Sequence, residues 1–201
     1  MILSPSVLFI SFIFFLFNSP DFSTPIQLSN RKDFSNIRLT DIGDFGIERK
    51  ARPNIPAHLH TGIDIKRPNN NYDDNPIFPI ANGIVISKRT DGPYAQLIIE
   101  HKQNRMIFCT VYEHIAEIRV DLNEKVTSDM PIARFFSQQE LDKYGWQFDH
   151  FHFEILRKYP LKISPTLELP ERHFKSYTLT CYTEDKLLSH FYDPISFLDL
   201  H

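Results

Sequence analysis

The sequence predicts an antiparallel β domain with few short helices. Three observations predict it: apolar runs of strand length, their enrichment in β-branched and aromatic residues, and turn-forming residues between them. The runs are IFPI (77–80), IVIS (84–87), QLIIE (96–100), MIFCTVY (106–112) and FHFEIL (151–156). Residues 81–83 (ANG) and 90–93 (TDGP) are turn signals, and residues 101–105 (HKQNR) read as a hairpin-like polar break. At 201 residues with 42% hydrophobic and 23% charged residues, the chain can bury the core of one domain. A formal charge of −3 argues against a strongly basic surface, so no nucleic-acid partner is expected. Two cysteines exclude a disulfide-dense small fold and a Cys-based zinc finger.

Taken in order, residues 7–17 (VLFISFIFFLF) are an apolar run too short for a comfortable membrane span and of the right length for a signal-peptide core. Residues 1–19 are therefore expected to be a signal peptide or an N-terminal membrane anchor, with an exported chain acting in the periplasm, in the cell envelope or outside the cell; a buried strand or helix is the alternative. Residues 20–45 read as a polar lead segment, and residues 46–201 as the domain. Ser137 and Glu140 make a capping box, and Gly145 can end the helix that follows. Asp193 followed by Pro194 signals a short terminal helix. Residues 177–182 (YTLTCY) read as a tail strand.

The chemistry is carried by histidines, of which there are nine. His60 and Asp64 form an H-x3-D pattern, and His150 and His152 an H-x-H. Side chains alternate along a strand, so His150 and His152 share one face while Phe151, Phe153 and Ile155 point to the other, the expected core. Two imidazoles and a carboxylate with an open fourth position make a catalytic zinc arrangement. Gly62 is read as a tight-turn residue that lets His60 and Asp64 reach one ion. No H-E-x-x-H motif is present, so a general base must come from elsewhere, and histidine is the right type near neutral pH.

The string H-T-G-I-D-I (60–65) resembles the first motif of the lysostaphin-type (LytM-like) zinc metallopeptidases, which cut peptidoglycan cross-links. H-F-H-F-E (150–154) resembles their H-x-H-F-E motif. Between them, LIIEHKQNRMIFCTVYEHI (97–115) resembles the family's strand–turn–strand segment ending in T-x-Y-x-H, and PIFPIANGIVIS (76–87) the stretch after the first motif. YDPISFL (192–198) resembles the usual ending. The resemblance implies a mainly β fold, an antiparallel barrel-sandwich of the duplicated hybrid motif type with few short helices. It implies one Zn²⁺ per chain held by His60, Asp64 and His152, with His114 and His150 as two catalytic histidines, and a peptidoglycan peptide as substrate. Which of the two is the base stays open. A non-catalytic wall-binding or regulatory protein on the same fold, or a zinc peptidase for another peptide, are the alternative functions.

The chain departs from the family pattern around the groove. Phe148 and Asp149 stand where Gly or Ser and Pro usually precede the H-x-H, RFFSQQELDKYGWQ (134–147) replaces a glycine-rich segment, and Asn123 and Ser128 lie near positions where Gly is usual. Residues 157–191 form an insertion before the ending. Glu154, on the His152 face, is read as an orienting carboxylate. His58 is read as a surface or supporting residue and His101 as structural. Cys109 and Cys181 could be bonded or free.

Overall fold

A computed structural model of the protein describes residues 22–103, 105–176 and 178–199. The proposed signal or anchor segment, 1–19, lies outside them. Among the described residues no helix is long and apolar enough to cross a membrane.

Among the described residues eleven short or medium strands form in chain order: β1 (Glu48–Arg49), β2 (His58–Leu59), β3 (Ile63–Lys66), β4 (Pro76–Ile77), β5 (Gly83–Arg89), β6 (Gln96–Gln103), β7 (Met106–Glu113), β8 (Lys125–Val126), β9 (Ala133–Arg134), β10 (His150–Leu156) and β11 (Phe191–Tyr192). Three helices, α1 (Gln138–Tyr144), α2 (Glu184–His190) and α3 (Pro194–Asp199), accompany them. The capping box at Ser137 and Glu140 is present on α1, and Gly145 ends it. Asp193 caps α3 through its carboxylate to the Ile195 amide at 3.0 Å. The polar break comes later than expected, because β6 continues through Gln103. Residues 178–180 form a 3-10 turn in place of the tail strand.

Seven strands make one antiparallel sheet in the order β11-β10-β7-β6-β5-β8, with β3 pairing on β10 beside β11; β1-β2 and β4-β9 are separate two-stranded sheets. The expected barrel-sandwich is thereby corrected: among the described residues no sheet closes. Closure requires the two edges to pair. β8 has two residues and pairs only β5. The outer edge of β3 is already occupied by the lead segment, through Thr40 N to Asp64 O (3.0 Å), Asp64 N to Gly43 O (2.9 Å) and Lys66 N to Arg38 O (2.8 Å). A covered edge has no unpaired groups left to recruit a closing strand.

Alternation along the strands gives the sheet two unlike faces. Ile63, Ile65, Leu97, Ile99, Phe108, Tyr112, Phe151, Phe153 and Ile155 point into the main core, where Phe22 and Ile26 of the lead segment and Phe197 of α3 also pack. On the other face Ile98, Cys109, Val111 and Leu156 meet Cys181, Leu187 and Phe191. The insertion therefore covers one end of that second face, and His150 and His152 lie towards the other. Both cysteines lie in this second cluster as free, buried thiols.

Candidate metal centre and active site

β3 and β10 are neighbours, and Asp64 lies directly opposite His152. Opposed residues of an antiparallel pair project to the same face. His60 precedes β3 and reaches the same point. His60 Nε2, Asp64 Oδ1 and His152 Nδ1 form a triangle with sides of 3.0–3.1 Å. All three residues are buried and can hold one metal ion between them. Donors bound at 2.0–2.1 Å in tetrahedral geometry stand about 3.3 Å apart, so the triangle is close to one face of a zinc tetrahedron.

The second nitrogen of each imidazole decides what points inwards. His60 Nδ1 donates to the Asp44 carbonyl at 2.8 Å. His152 Nε2 donates to Glu154 Oε1 at 3.0 Å, and the Thr61 hydroxyl donates to the same oxygen. In the neutral ring the opposite nitrogen then carries the lone pair, so two nitrogen lone pairs and a carboxylate oxygen converge. Arg49, on β1, donates to Asp64 Oδ2 and leaves Oδ1 for the cluster. Burial pushes the Asp64 carboxyl up, but the hydrogen bonds with His152 and His60 outweigh it and hold the group well below the usual carboxylate range. Burial pulls His60 down. Burial acts the same way on His152, but its bonds to Asp64 and Glu154 prevail and raise it to about 10.

The other two histidines flank this cluster. His150 Nε2 lies 3.6 Å from Asp64 Oδ1. His114 follows β7 with a left-handed backbone, φ 62°, a conformation that concentrates at functional positions in non-glycine residues. Its Nδ1 donates to the Pro93 carbonyl at 2.6 Å, which leaves Nε2 bare. The His114 and His150 rings meet edge to face at 5.5 Å, and Phe148 packs on His114 at 4.9 Å. Burial lowers both, His150 to about 4, so both are neutral near pH 7.

All five residues singled out in the sequence thus come together. Gly62 is needed for a different reason than a turn: a Cβ there would stand 2.1 Å from the Phe153 carbonyl oxygen, so the glycine permits close approach of β3 to β10. His58 is buried and bonds the Pro56 carbonyl. His101 is buried in β6, between the Asn82 carbonyl (3.1 Å) and the Thr110 hydroxyl (2.7 Å). Sequence reasoning missed Arg49, Thr61 and the Asp44 carbonyl. The first two had a weak signal, flanking the H-x3-D motif; a backbone carbonyl has none.

No curated protein matches the chain. Among solved structures it is similar to the antimicrobial peptidase lysostaphin from Staphylococcus simulans, with 15% identity and a TM-score of 0.53 over 91% of this chain and 56% of that one. It is also similar to a zinc-containing peptidase from Vibrio cholerae (23% identity, TM-score 0.45, 68% of this chain and 37% of that one). A third is Csd3 from Helicobacter pylori (14% identity, TM-score 0.40, 89% of this chain and 39% of that one). The chain thus spans less than two thirds of the length of each of these three proteins. The family model described as peptidase family M23 matches residues 58–165, more than half the chain and the whole stretch from the first histidine motif through the second. The converging His60, Asp64 and His152 donors sit inside that match, and the chain belongs to peptidase family M23, the metallopeptidases to which its motifs pointed.

Proposed function

We propose that the protein is a zinc endopeptidase, with one Zn²⁺ per chain, that hydrolyses peptide cross-links of bacterial peptidoglycan in the cell envelope or outside the cell. The observation that carries the reading is the convergence of His60 Nε2, Asp64 Oδ1 and His152 Nδ1 at 3.0–3.1 Å from one another, beside two neutral histidines. The lysostaphin-type motifs and the fold shared with lysostaphin support the substrate class.

His60 Nε2, Asp64 Oδ1 and His152 Nδ1 would hold the ion, and three protein donors leave a position for water or substrate. When bound, zinc supplies an acidified water and an electrophile for the peptide carbonyl. The protein supplies the proton transfers. His114, bare at Nε2 and fixed at Nδ1 by Pro93, is the proton acceptor. Once protonated, it returns that proton to the leaving amine, while neutral His150, whose Nε2 faces the Asp64 carboxylate, offers a hydrogen bond to charge developing on the carbonyl oxygen. Arg49 keeps Asp64 bound through one oxygen, and Glu154 with Thr61 keeps His152 in the right tautomer.

The test is zinc content and release of peptidoglycan fragments, measured on the same samples. Wild type is expected to hold near-stoichiometric zinc and release fragments, and Asp64→Ala to lose both. His114→Ala and His150→Ala are expected to keep zinc and lose about 10²–10⁴ in kcat, the usual size of a general acid–base contribution. A folded wild type without zinc, or either histidine variant with wild-type turnover, overturns the corresponding assignment.

A further inference from the structure

The ladder that joins Asp64 to His152 has an end, and a charged cluster sits there that the chemistry above does not use. β3 and β10 pair from Ile63↔Phe153 to Lys66↔His150. β7 contributes partners to β10 only from His152 onward, so at His150 the ladder is held on the β3 side alone. One step further the register brings Arg67 opposite Asp149, and side chains take over from the backbone. Arg67 Nε and Nη2 both donate to Asp149 Oδ1, at 3.1 and 2.9 Å, and the Tyr72 hydroxyl donates to Oδ2 at 3.2 Å. The same guanidinium donates to the carbonyls of Asn71 (3.0 Å) and Phe136 (2.6 Å) and lies 4.3 Å from the Tyr72 ring centroid. The Arg67 side chain is only 4% exposed. A cation so buried is retained when it is paired and its donors are used, and this one is tied to both strands and to the chain just before α1.

We propose that the Arg67–Asp149–Tyr72 cluster is a positioning device for His150. It pins the end of the β3–β10 ladder and so holds the His150 ring beside Asp64, and Phe148 against His114. His152, paired on both sides, does not depend on it. Asp149 and Phe148 are the residues that replace the small residue and proline of the family pattern, so the device belongs to this chain's own sequence. The inference rests on the peptidase reading of His150.

The experiment uses Asp149→Ala, Asp149→Asn and Tyr72→Phe in the full protein, with kcat, KM and zinc content measured on peptidoglycan fragments. Asp149→Ala is expected to lower kcat about 100-fold, the effect of an ångström-scale misplacement, while zinc content and KM stay within about twofold. Asp149→Asn, which keeps an acceptor for Arg67, and Tyr72→Phe are expected to retain kcat to within a few-fold, and both remain informative if Asp149→Ala fails to fold. Unchanged kcat in a folded Asp149→Ala, a rise in KM in its place, or loss of zinc together with kcat overturns the proposal. If wild type releases no fragments, the peptidase reading fails, and amide hydrogen exchange then decides the positioning role. Faster exchange in Asp149→Ala than in wild type at residues 66–67 and 150–151, with residues 153–154 unchanged, supports it; unchanged rates throughout overturn it.

Discussion

The three metal donors and the two flanking histidines share one end of one sheet face, yet they are held in different ways. Each triad member has a polar partner behind it: the Asp44 carbonyl, Arg49, and Glu154 with Thr61. The triad sits within or next to paired strands and is buried. The pair is held less uniformly: His114 has one such partner, the Pro93 carbonyl, with a left-handed backbone and an aromatic neighbour, and His150 rests on the last rung of a ladder. An ion needs lone pairs aimed at one point, which oriented hydrogen bonds provide. His114 and His150 sit where the strands stop, which is where proton transfer to a bound substrate, as proposed, would need them.

The largest expected effect breaks the common support of both groups. Gly62→Ala places a methyl group against the Phe153 carbonyl, and neither strand can move without disturbing the triad. Destabilisation of about 3 kcal/mol is expected, at the upper end for overpacking, and urea unfolding of the metal-free protein measures it.

Another buried histidine, His101, sharpens the contrast, because it has partners but no metal role. Burial pulls His101 down to about 4, and as a neutral ring it donates to Asn82 and accepts from Thr110. Its folded pKa lies below the unfolded value of about 6.5, so the folded state prefers the deprotonated ring. Its stabilising contribution is fully present above about pH 6.5 and is lost as pH falls towards 4, by up to about 3 kcal/mol. Denaturant unfolding across this range, with His101→Gln as the variant lacking the titration, checks the sign and the window.

Glu154→Gln separates metal binding from turnover. It weakens the hydrogen bond that sets the His152 tautomer and leaves the flanking pair untouched. A fall of about 10–100-fold in zinc affinity is expected, with turnover per bound zinc little changed. Competition with a chromogenic chelator reads the first, and rates at saturating zinc the second.

The legible part of the site was local. H-x-H in an alternating strand places two histidines on one face whatever that strand pairs with, and H-x3-D carries two donors across a short stretch. What escaped was pairing between distant residues. Nothing within residues 60–64 says that Arg49 lies behind Asp64, and nothing around Asp149 says that Arg67 is its partner. The β segments were legible for the same reason that barrel closure was not: period-two patterning marks a strand, but the fate of its edges depends on what covers them. Here residues 38–43, read as lead segment, cover the edge of β3. Gly62 is the intermediate case, a glycine whose importance was visible and whose reason lay across the sheet.

The position of the triad on two strands has a consequence for the chain as a polymer. Asp64 and His152 are 88 residues apart in sequence. An ion bound by both is a cross-link that closes a loop of nearly half the protein, which includes β4 to β9 and α1. Closing so long a loop removes conformational entropy from the unfolded chain, for a permanent bond of that span about 4–5 kcal/mol. A bound ion is then also a reversible topological constraint on the native chain: opening the β3–β10 pair must release it, so its binding free energy adds to the stability of the folded state.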